Sequence, residues 1–498
     1  MRRLGMIVSL LLAFCLAMPV ASQAGGVLKI ALTSNLNTLD PHKTKSGDEY
    51  LYMFMVFNGL TRIDRDMNIK PDLAESWQSS PDLKTWTFKL RKGVKFHHGR
   101  EMDAEDVAAT IKRIMDKAVG SKARVNFLMI DKIEVVDKYT IRFLLNTPYS
   151  GFADLFGERQ ARIVPKDAMD KLATHPIGTG PFKFKSFTPG DRVVMEKNQD
   201  YFEKGAPKLD GVVLLVMPES ATRVTALETG EVHVVWQLPL ETIDRLKKNP
   251  AIGVDEVATS SWDGVIMNNQ KPPFNNPKVR QAVHLAMDKP QLAQIVLFGH
   301  GTPTHCAIPP VHPFFNKNIG FKTDLAKAKK LLAEAGLAKG FEITIIAPEG
   351  RPARERLAVA TREMLKPLGI SVNIQRLPWD KFLADAEGKA AFYIDGFFSR
   401  PTVDTSLYPW YHSTGSWNKE LWHYNNPAVD KLLDQARASS SLEEQKKAYM
   451  AFQQAVVDDP PGVIPFVVNQ VDAFRKEVKG LHSNPMMEFD LRQVDIVK

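Results

Sequence analysis

Only two cysteines, Cys15 and Cys306, occur in 498 residues, so neither a disulfide framework nor a four-cysteine zinc ribbon can be built from this chain. Low-complexity linkers and short-period repeats are missing, and 24% charged against 44% hydrophobic residues is a globular balance that excludes a disordered chain, a collagen-like array and a coiled coil. There is no basic block. The formal charge of +8 is spread through interspersed Lys, Arg, Asp and Glu, so nucleic acid is not an expected partner. Catalytic signatures are absent too: no G-x-S-x-G elbow, no H-E-x-x-H, no Walker loop and no C-x-x-C. After residue 24 no apolar run approaches the roughly 18–20 residues a membrane span requires.

What is present begins at the amino terminus. Arg2 and Arg3 precede a mostly apolar run from Leu4 to Val20, then Ser22-Gln23-Ala24 offers small residues at the two positions a signal peptidase inspects. Residues 1–24 therefore read as a cleaved secretory signal, so the mature protein is expected to be exported. The run is short for an anchor and is broken by Pro19, and Cys15 follows Phe14 where lipoprotein attachment needs a small residue. Cleavage would leave Cys306 as a solitary thiol, so stability must come from a large core.

Two distant segments carry a strand–helix–strand rhythm. The first runs from the apolar strand Leu209–Met217 through a helix ending at Gly230 to the strand Val232–Trp236, with a further helix near 240–248. The second runs strand Phe341–Ala347, helix 352–366, strand Ile370–Leu377, helix 379–386 and strand Ala391–Phe398. Near-continuous apolar strands imply two parallel-type sheets and hence two α/β lobes, with ligands expected beyond the carboxyl ends of strands. Residues 69–175 differ: Leu83–Leu90 alternates, Lys132–Leu145 reads as two strands turning near Asp137-Lys138, and a helix capped by Asp103 buries Val107, Ile111, Ile114 and Met115. This is an α+β insert. A further helix, Asp324–Ala335, stops at Gly336.

Gly178-Thr179-Gly180 resembles the start of a dinucleotide loop, but Pro181-Phe182-Lys183 follows, so a tight turn before a strand is the reading. His97-His98 and the trio His300, His305 and His312 lack metal-ligand spacing and are expected at the surface or in turns. Trp236, Trp262 and Trp379 fall at strand ends, as do Phe397, Phe398 and Arg400, where a cleft between α/β lobes would be lined. Each tryptophan taken alone suits a core equally well.

Ordered motifs extend this reading. They are Leu39-Asp40-Pro41, Phe57-Asn58-Gly59-Leu60-Thr61, Pro71-Asp72-Leu73-Ala74-Glu75-Ser76-Trp77, the stretch Trp86 to Gly99, and Asp103-Ala104-Glu105-Asp106-Val107. Gly178-Thr179-Gly180-Pro181-Phe182, Asn198-Gln199-Asp200-Tyr201-Phe202 and Pro272-Pro273-Phe274 to Ala282 follow. In this order they resemble the family 5 extracellular solute-binding proteins of ABC importers, the periplasmic dipeptide, oligopeptide, glutathione and nickel binders. The resemblance implies a bilobal, type II periplasmic-binding-protein fold with a hinge and an additional α+β subdomain. Lobe I would combine residues 25–68, 176–266 and 473–498, the insert would be 69–175 and lobe III 267–472, with hinge strands near Ser260–Met267 and Val468–Phe474. It also implies a monomer that captures a solute, without cofactor or metal, and hands it to a membrane permease.

Where peptide binders of the family place an aspartate for the ligand's amino group, this chain has Arg400, with Asp404 four residues later. Arginine would hold a carboxylate, sulfonate or phosphate instead. Arg351 and Arg354 lie where dipeptide binders place the arginine for the C-terminal carboxylate. The expected ligand is therefore a short peptide or peptide-like, carboxylate-bearing solute, with Asn35, Trp236, Trp262, Arg351, Arg354, Trp379, Phe398, Arg400 and Asp404 as its contacts. An Arg400–Asp404 pair, with Asp404 alternatively serving an amine, stays open. So do a nickel-type metal-chelate carrier, a periplasmic hydrolase, and a sensor or chaperone on the same scaffold.

Overall fold

The computed structural model describes residues 25–497, the side chain of Asp380 excepted; the signal reading falls on residues 1–24, outside the described part. Two mixed sheets organise it. The first has seven strands in the order Ile252–Val257, Gln470–Arg475, Val234-Val235, Val27–Leu32, Gly211–Val216, Arg192–Lys197 and Phe182–Thr188. Gly211–Val216, helix Ser220–Thr229 and Val234-Val235 make the expected β-α-β unit, and Val27–Leu32 lies between its two strands, parallel to both. Alternation covers both faces: Leu28, Ile30 and Leu32 join one core, while Ala31 joins another with Val235 and Leu227. The helix foreseen near 240–248 forms as a 3-10 turn, Leu240–Thr242, that runs into a short α-helix, Ile243–Leu246.

The second sheet has six strands: Gly301–Pro303, Val463–Val468, Trp262–Met267, Phe392–Phe397, Glu342–Pro348 and Ser371–Leu377. Its central pair, Trp262–Met267 with Phe392–Phe397, is antiparallel, and one end is parallel, Glu342–Pro348 pairing with the edge strand Ser371–Leu377 and touching Phe392–Phe397 through Ile346 and Tyr393. Helix Pro352–Leu365 covers one face over Val265, Ile345 and Ile394; Val403–Tyr411 and Leu442–Asp458 cover the other over Ile266 and Tyr393. Both sheets are thus mixed rather than wholly parallel. The chain passes between them twice, and the strands beside those passages return antiparallel. At the passages Val468 N–H donates to the Ser261 carbonyl at 2.8 Å, and the Thr259 hydroxyl to the Val468 carbonyl at 2.6 Å.

The insert is a four-stranded antiparallel sheet, Ala74–Ser79, Thr85–Leu90, Thr140–Leu145 and Ile130–Asp137, packed on helix Ala104–Met115. Asp103 caps that helix, accepting from Glu105 and Asp106 N–H, and the Asp106 carboxylate accepts from Asp103 N–H in return. Val107, Ile111 and Ile114 are buried in a core with Phe88, Phe143, Phe152 and Phe156, while Met115 is only partly covered.

The motifs noted in the sequence converge at the root of this insert. Asn58 Nδ2 donates to Asp72 at 3.0 Å, Thr179 Oγ1 to Asn58 Oδ1 at 3.1 Å, and Asn198 Nδ2 to the Gly180 carbonyl at 2.9 Å. His97 N–H bonds the Gly178 carbonyl at 2.9 Å, and burial pulls its imidazole down to about 4, so it is neutral. Gly178-Thr179-Gly180 is structural: a Cβ at Gly180 would lie 2.4 Å from the Val56 carbonyl carbon, and one at Gly178 would lie 2.0 Å from Val56 O. Backbone on both sides cannot yield. Gly180→Ala is expected to lower unfolding stability by about 1–3 kcal/mol, read as a fall in the urea midpoint at constant slope.

His305 departs from the surface expectation. Its ring is buried 4.6 Å from that of Phe321, and Nδ1 lies 2.8 Å from Nζ of Lys289, a lysine that burial pulls down to about 7. Cys306 is buried as well, its thiol pushed up to about 12 by desolvation, which makes it inert.

Candidate functional site

The two sheets meet along a seam beyond their strand ends. On the first side, Thr33 and Ser34 follow strand Val27–Leu32 and hold the Asp48 carboxylate, through Thr33 N–H and Oγ1 at 2.8 Å and Ser34 Oγ at 2.6 Å. Asp48 stands in the first turn of helix Gly47–Val56, and burial pushes its carboxyl up despite these donors. On the second side, Phe398 leaves strand Phe392–Phe397 and packs edge-on against Tyr50 of that helix, ring centroids 6.3 Å apart. Ser399 is fastened to the passage between the sheets: its Oγ accepts from Ser260 N–H at 3.0 Å, and its own N–H donates to Ser261 Oγ at 2.9 Å.

Arg400 then reaches across the seam. Its Nη1 lies 3.4 Å from Oε1 of Glu158, a residue just beyond the short helix Phe152–Gly157 of the insert, and its guanidinium lies 5.6 Å over the Trp410 ring. The Arg400–Asp404 pair considered from the sequence does not form. Asp404 is held by Arg437, Nε at 3.1 Å and Nη2 at 2.7 Å, and by the Tyr149 hydroxyl at 2.9 Å. Asp404 lies only four positions beyond Arg400 along the chain, but Val403–Tyr411 becomes a helix whose first turn swings Asp404 towards the insert.

Arg354 is likewise committed within its own unit. Its Nε and Nη1 donate to Asp263 and Asp395, each at 2.8 Å, and Nη2 to the Gly396 carbonyl at 2.7 Å. Arg351 differs. No carboxylate among the described residues lies within ion-pair distance, and its guanidinium sits 4.0 Å over the Trp379 ring. Burial and the neighbouring Arg354 cation pull it down to about 10, against the fields of Asp263, Asp395 and, from across the seam, Asp48.

The tryptophans divide. Trp236 is buried beneath Gly47, where a Cβ would come within 2.4 Å of the indole, and Trp262 is buried against Phe397 and Trp422 at 5.3 and 6.0 Å. Both are core residues. Trp379 is 36% exposed and stacks on Phe382 at 5.6 Å, so it alone of the three presents a ring outward. Asn35 Oδ1 accepts from Gly190 N–H at 2.9 Å, a loop-to-loop contact. A cavity of about 410 Å³ lies elsewhere, between Arg62 and Asp72 at the insert root and the C-terminal stretch around Glu488.

The model of the bacterial extracellular solute-binding proteins, family 5, matches residues 68–418. The chain belongs to this family. It is a solute-binding protein of the ABC-import class, with the two lobes seen above as its two sheets. It is 30% identical over 482 residues to the glutathione-binding protein GsiB of Shigella dysenteriae serotype 1, covering 94% of each chain. Among solved structures it is similar to the Helicobacter pylori periplasmic binding protein DppA in complex with the peptide STSA, at 30% identity and TM-score 0.85, covering 95% of this chain and 99% of that one. The binding protein AgaA from A. tumefacien R10, in complex with agropinic acid, is similar at 29% identity and TM-score 0.85, with the same coverage. Family members are extracellular binding proteins, and no described helix of this one is long and apolar enough to cross a membrane.

Sequence reading missed Tyr50, Glu158, Arg159 and Trp410. The available signal was Glu158-Arg159-Gln160-Ala161-Arg162, a charge-dense stretch between the apolar residues Leu155-Phe156 and Ile163-Val164.

Proposed function

We propose that this binding protein captures a short peptide or peptide-like solute bearing a carboxylate and delivers it to the permease of its importer. It works in the periplasm as a monomeric carrier, not an enzyme, after removal of residues 1–24. Lobe I is assigned residues 25–68, 176–266 and 473–498, the insert 69–175 and lobe III 267–472, with the hinge at the two passages beside Thr259 and Val468. Closure is driven by ligand that touches both lobes, because only differential contact with the shut state shifts the equilibrium.

The observation that supports the carboxylate is Arg351, a guanidinium oriented by the Trp379 face and lacking an ion-pair partner among the described residues. Arg351→Ala is expected to weaken binding of the native solute about tenfold, or ~1.4 kcal/mol, with the fold intact by circular dichroism. Native mass spectrometry of protein purified from its own periplasm tests the class: a retained solute with an acidic group is expected, and one without any would refute it.

A further inference from the structure

The cavity of about 410 Å³ at the root of the insert is distinct from the seam: none of Asp48, Arg351, Trp379, Phe398 and Arg400 lines it. Its rim is balanced, cation for carboxylate. Arg62 and Arg492 share Glu203, each at 2.7 Å, and Arg492 also holds Asp490. Arg65 meets Asp255 at 2.9 Å, with His482 facing the same carboxylate at 3.7 Å, and Lys70 meets Asp64 at 3.4 Å. Three further charged residues of the wall are not matched in this way. Asp72 and Arg162 are each 2% exposed, and Glu488 is half-buried. Asp72 takes its side-chain bonds from a single amide, Asn58 Nδ2, at 3.0 and 3.1 Å. Arg162 spends Nη2 on the Gly157 and Glu158 carbonyls, both at 2.8 Å, lies 4.6 Å over the Phe54 ring, and leaves Nε without a partner among the described residues. Glu488 has only Asn484 Nδ2, at 3.5 Å. Among the described residues no basic side chain forms an ion pair with Asp72 or Glu488. Arg159, whose field reaches Glu488, is not part of the lining; its guanidinium lies against the Tyr50 ring.

The lining together with its ion-pair partners therefore holds one more carboxylate than it has cations, and Glu488 is the one that opens on the cavity. The same wall carries Phe57, Tyr201, Phe489 and Leu491. An excess carboxylate facing a partly aromatic cavity is the complement of an organic cation. Among the described residues no group of three or more His, Cys, Asp or Glu is placed to hold a metal ion. We infer that this cavity is a second binding site, for a small primary amine in its ammonium form, with Glu488 as counter-ion and the aromatic wall against the apolar body. The site is independent of the solute-capture reading. It also couples to protons. Burial pushes the Glu488 carboxyl up to about 8, with Asp490 and Asp72 adding to the rise and Arg162 and Arg159 opposing it. An ammonium pairs only with the ionised carboxylate, so below that pH binding displaces a proton and weakens as the pH falls.

Phenethylammonium and 2-phenylethanol test this, since they share a phenylethyl body and differ in the charge of the head. Calorimetry on the full protein at about pH 8 should find the ammonium at least about tenfold tighter than the alcohol. Between about pH 8 and about pH 6.5 the ammonium should weaken about tenfold, although a primary amine stays protonated throughout that range, while the alcohol should not change. Glu488→Gln, which keeps the size of the side chain, should bring the ammonium down to the affinity of the alcohol and remove the pH dependence. The two readouts on native protein do not depend on that variant folding. Equal affinity for the two probes, binding of neither, ammonium binding that strengthens on acidification, or an ammonium preference that persists in Glu488→Gln overturns the site.

Discussion

Arg354→Ala should destabilise lobe III by about 3–5 kcal/mol, the largest effect expected from a single substitution here. Three donors of this guanidinium hold Asp263, Asp395 and the Gly396 carbonyl, and Asp395 is only 2% exposed. Removing the cation strands two carboxylates in a site that burial already disfavours for Asp395, whose carboxyl is raised by desolvation against the pull of Arg354. Arg354→Lys keeps the charge but loses the three-way geometry, so it should recover only part of the loss. Urea unfolding followed by tryptophan fluorescence reads both. Intact stability with lost solute affinity would instead return Arg354 to the role of anion anchor.

A second large effect is expected at the contact between the insert and lobe III. Asp404 and Arg437 belong to the lobe, Tyr149 and Ser150 to the insert; the Tyr149 hydroxyl donates to Asp404, and Ser150 N–H to the Arg437 carbonyl at 3.2 Å. Arg437 also lies 3.3 Å over the Tyr408 ring. Arg437→Ala leaves Asp404 buried without its cation and removes this stack, at about 3 kcal/mol. Because Tyr149 reaches across, part of that loss falls on the closed arrangement. The radius of gyration of solute-free Arg437→Ala in small-angle scattering should exceed the native value, and apparent solute affinity should fall with the closed population. A lowered unfolding midpoint with unchanged scattering would make the group a structural element of lobe III alone.

Much of the architecture was legible because periodicity survives folding. The runs at 209–217, 341–347, 370–377 and 391–398 all form strands, those at 209–217 and 391–398 largely covered on both faces and that at 370–377, on the sheet edge, showing alternate residues to solvent, and the helix after Asp103 starts where its cap demands. Local chemistry sufficed there. The mixed character of the sheets was not legible, because strand direction depends on how often the chain passes between lobes. The motif residues were conspicuous in sequence, yet their common purpose, a hydrogen-bonded knot from Asn58 to Asn198, needed five separated segments brought to one place.

For the site, residue type was readable and partner was not. Arginines at 351, 354 and 400 announced anion chemistry, but three similar guanidiniums met three different fates: a tryptophan face, a pair of buried carboxylates, and a loose contact across the seam. Trp236 and Trp262 fall at strand ends just as Trp379 does, and only packing buries the first two. By itself the sequence determined the class of fold, the membership of its motifs and the absence of catalytic signatures, since these follow from local composition and spacing. The tertiary structure alone decided which charges are neutralised internally and which keep only a loose contact, because electrostatic partnership depends on distance in space, and Glu158 of the insert and Arg400 become neighbours only when separate parts of the fold meet.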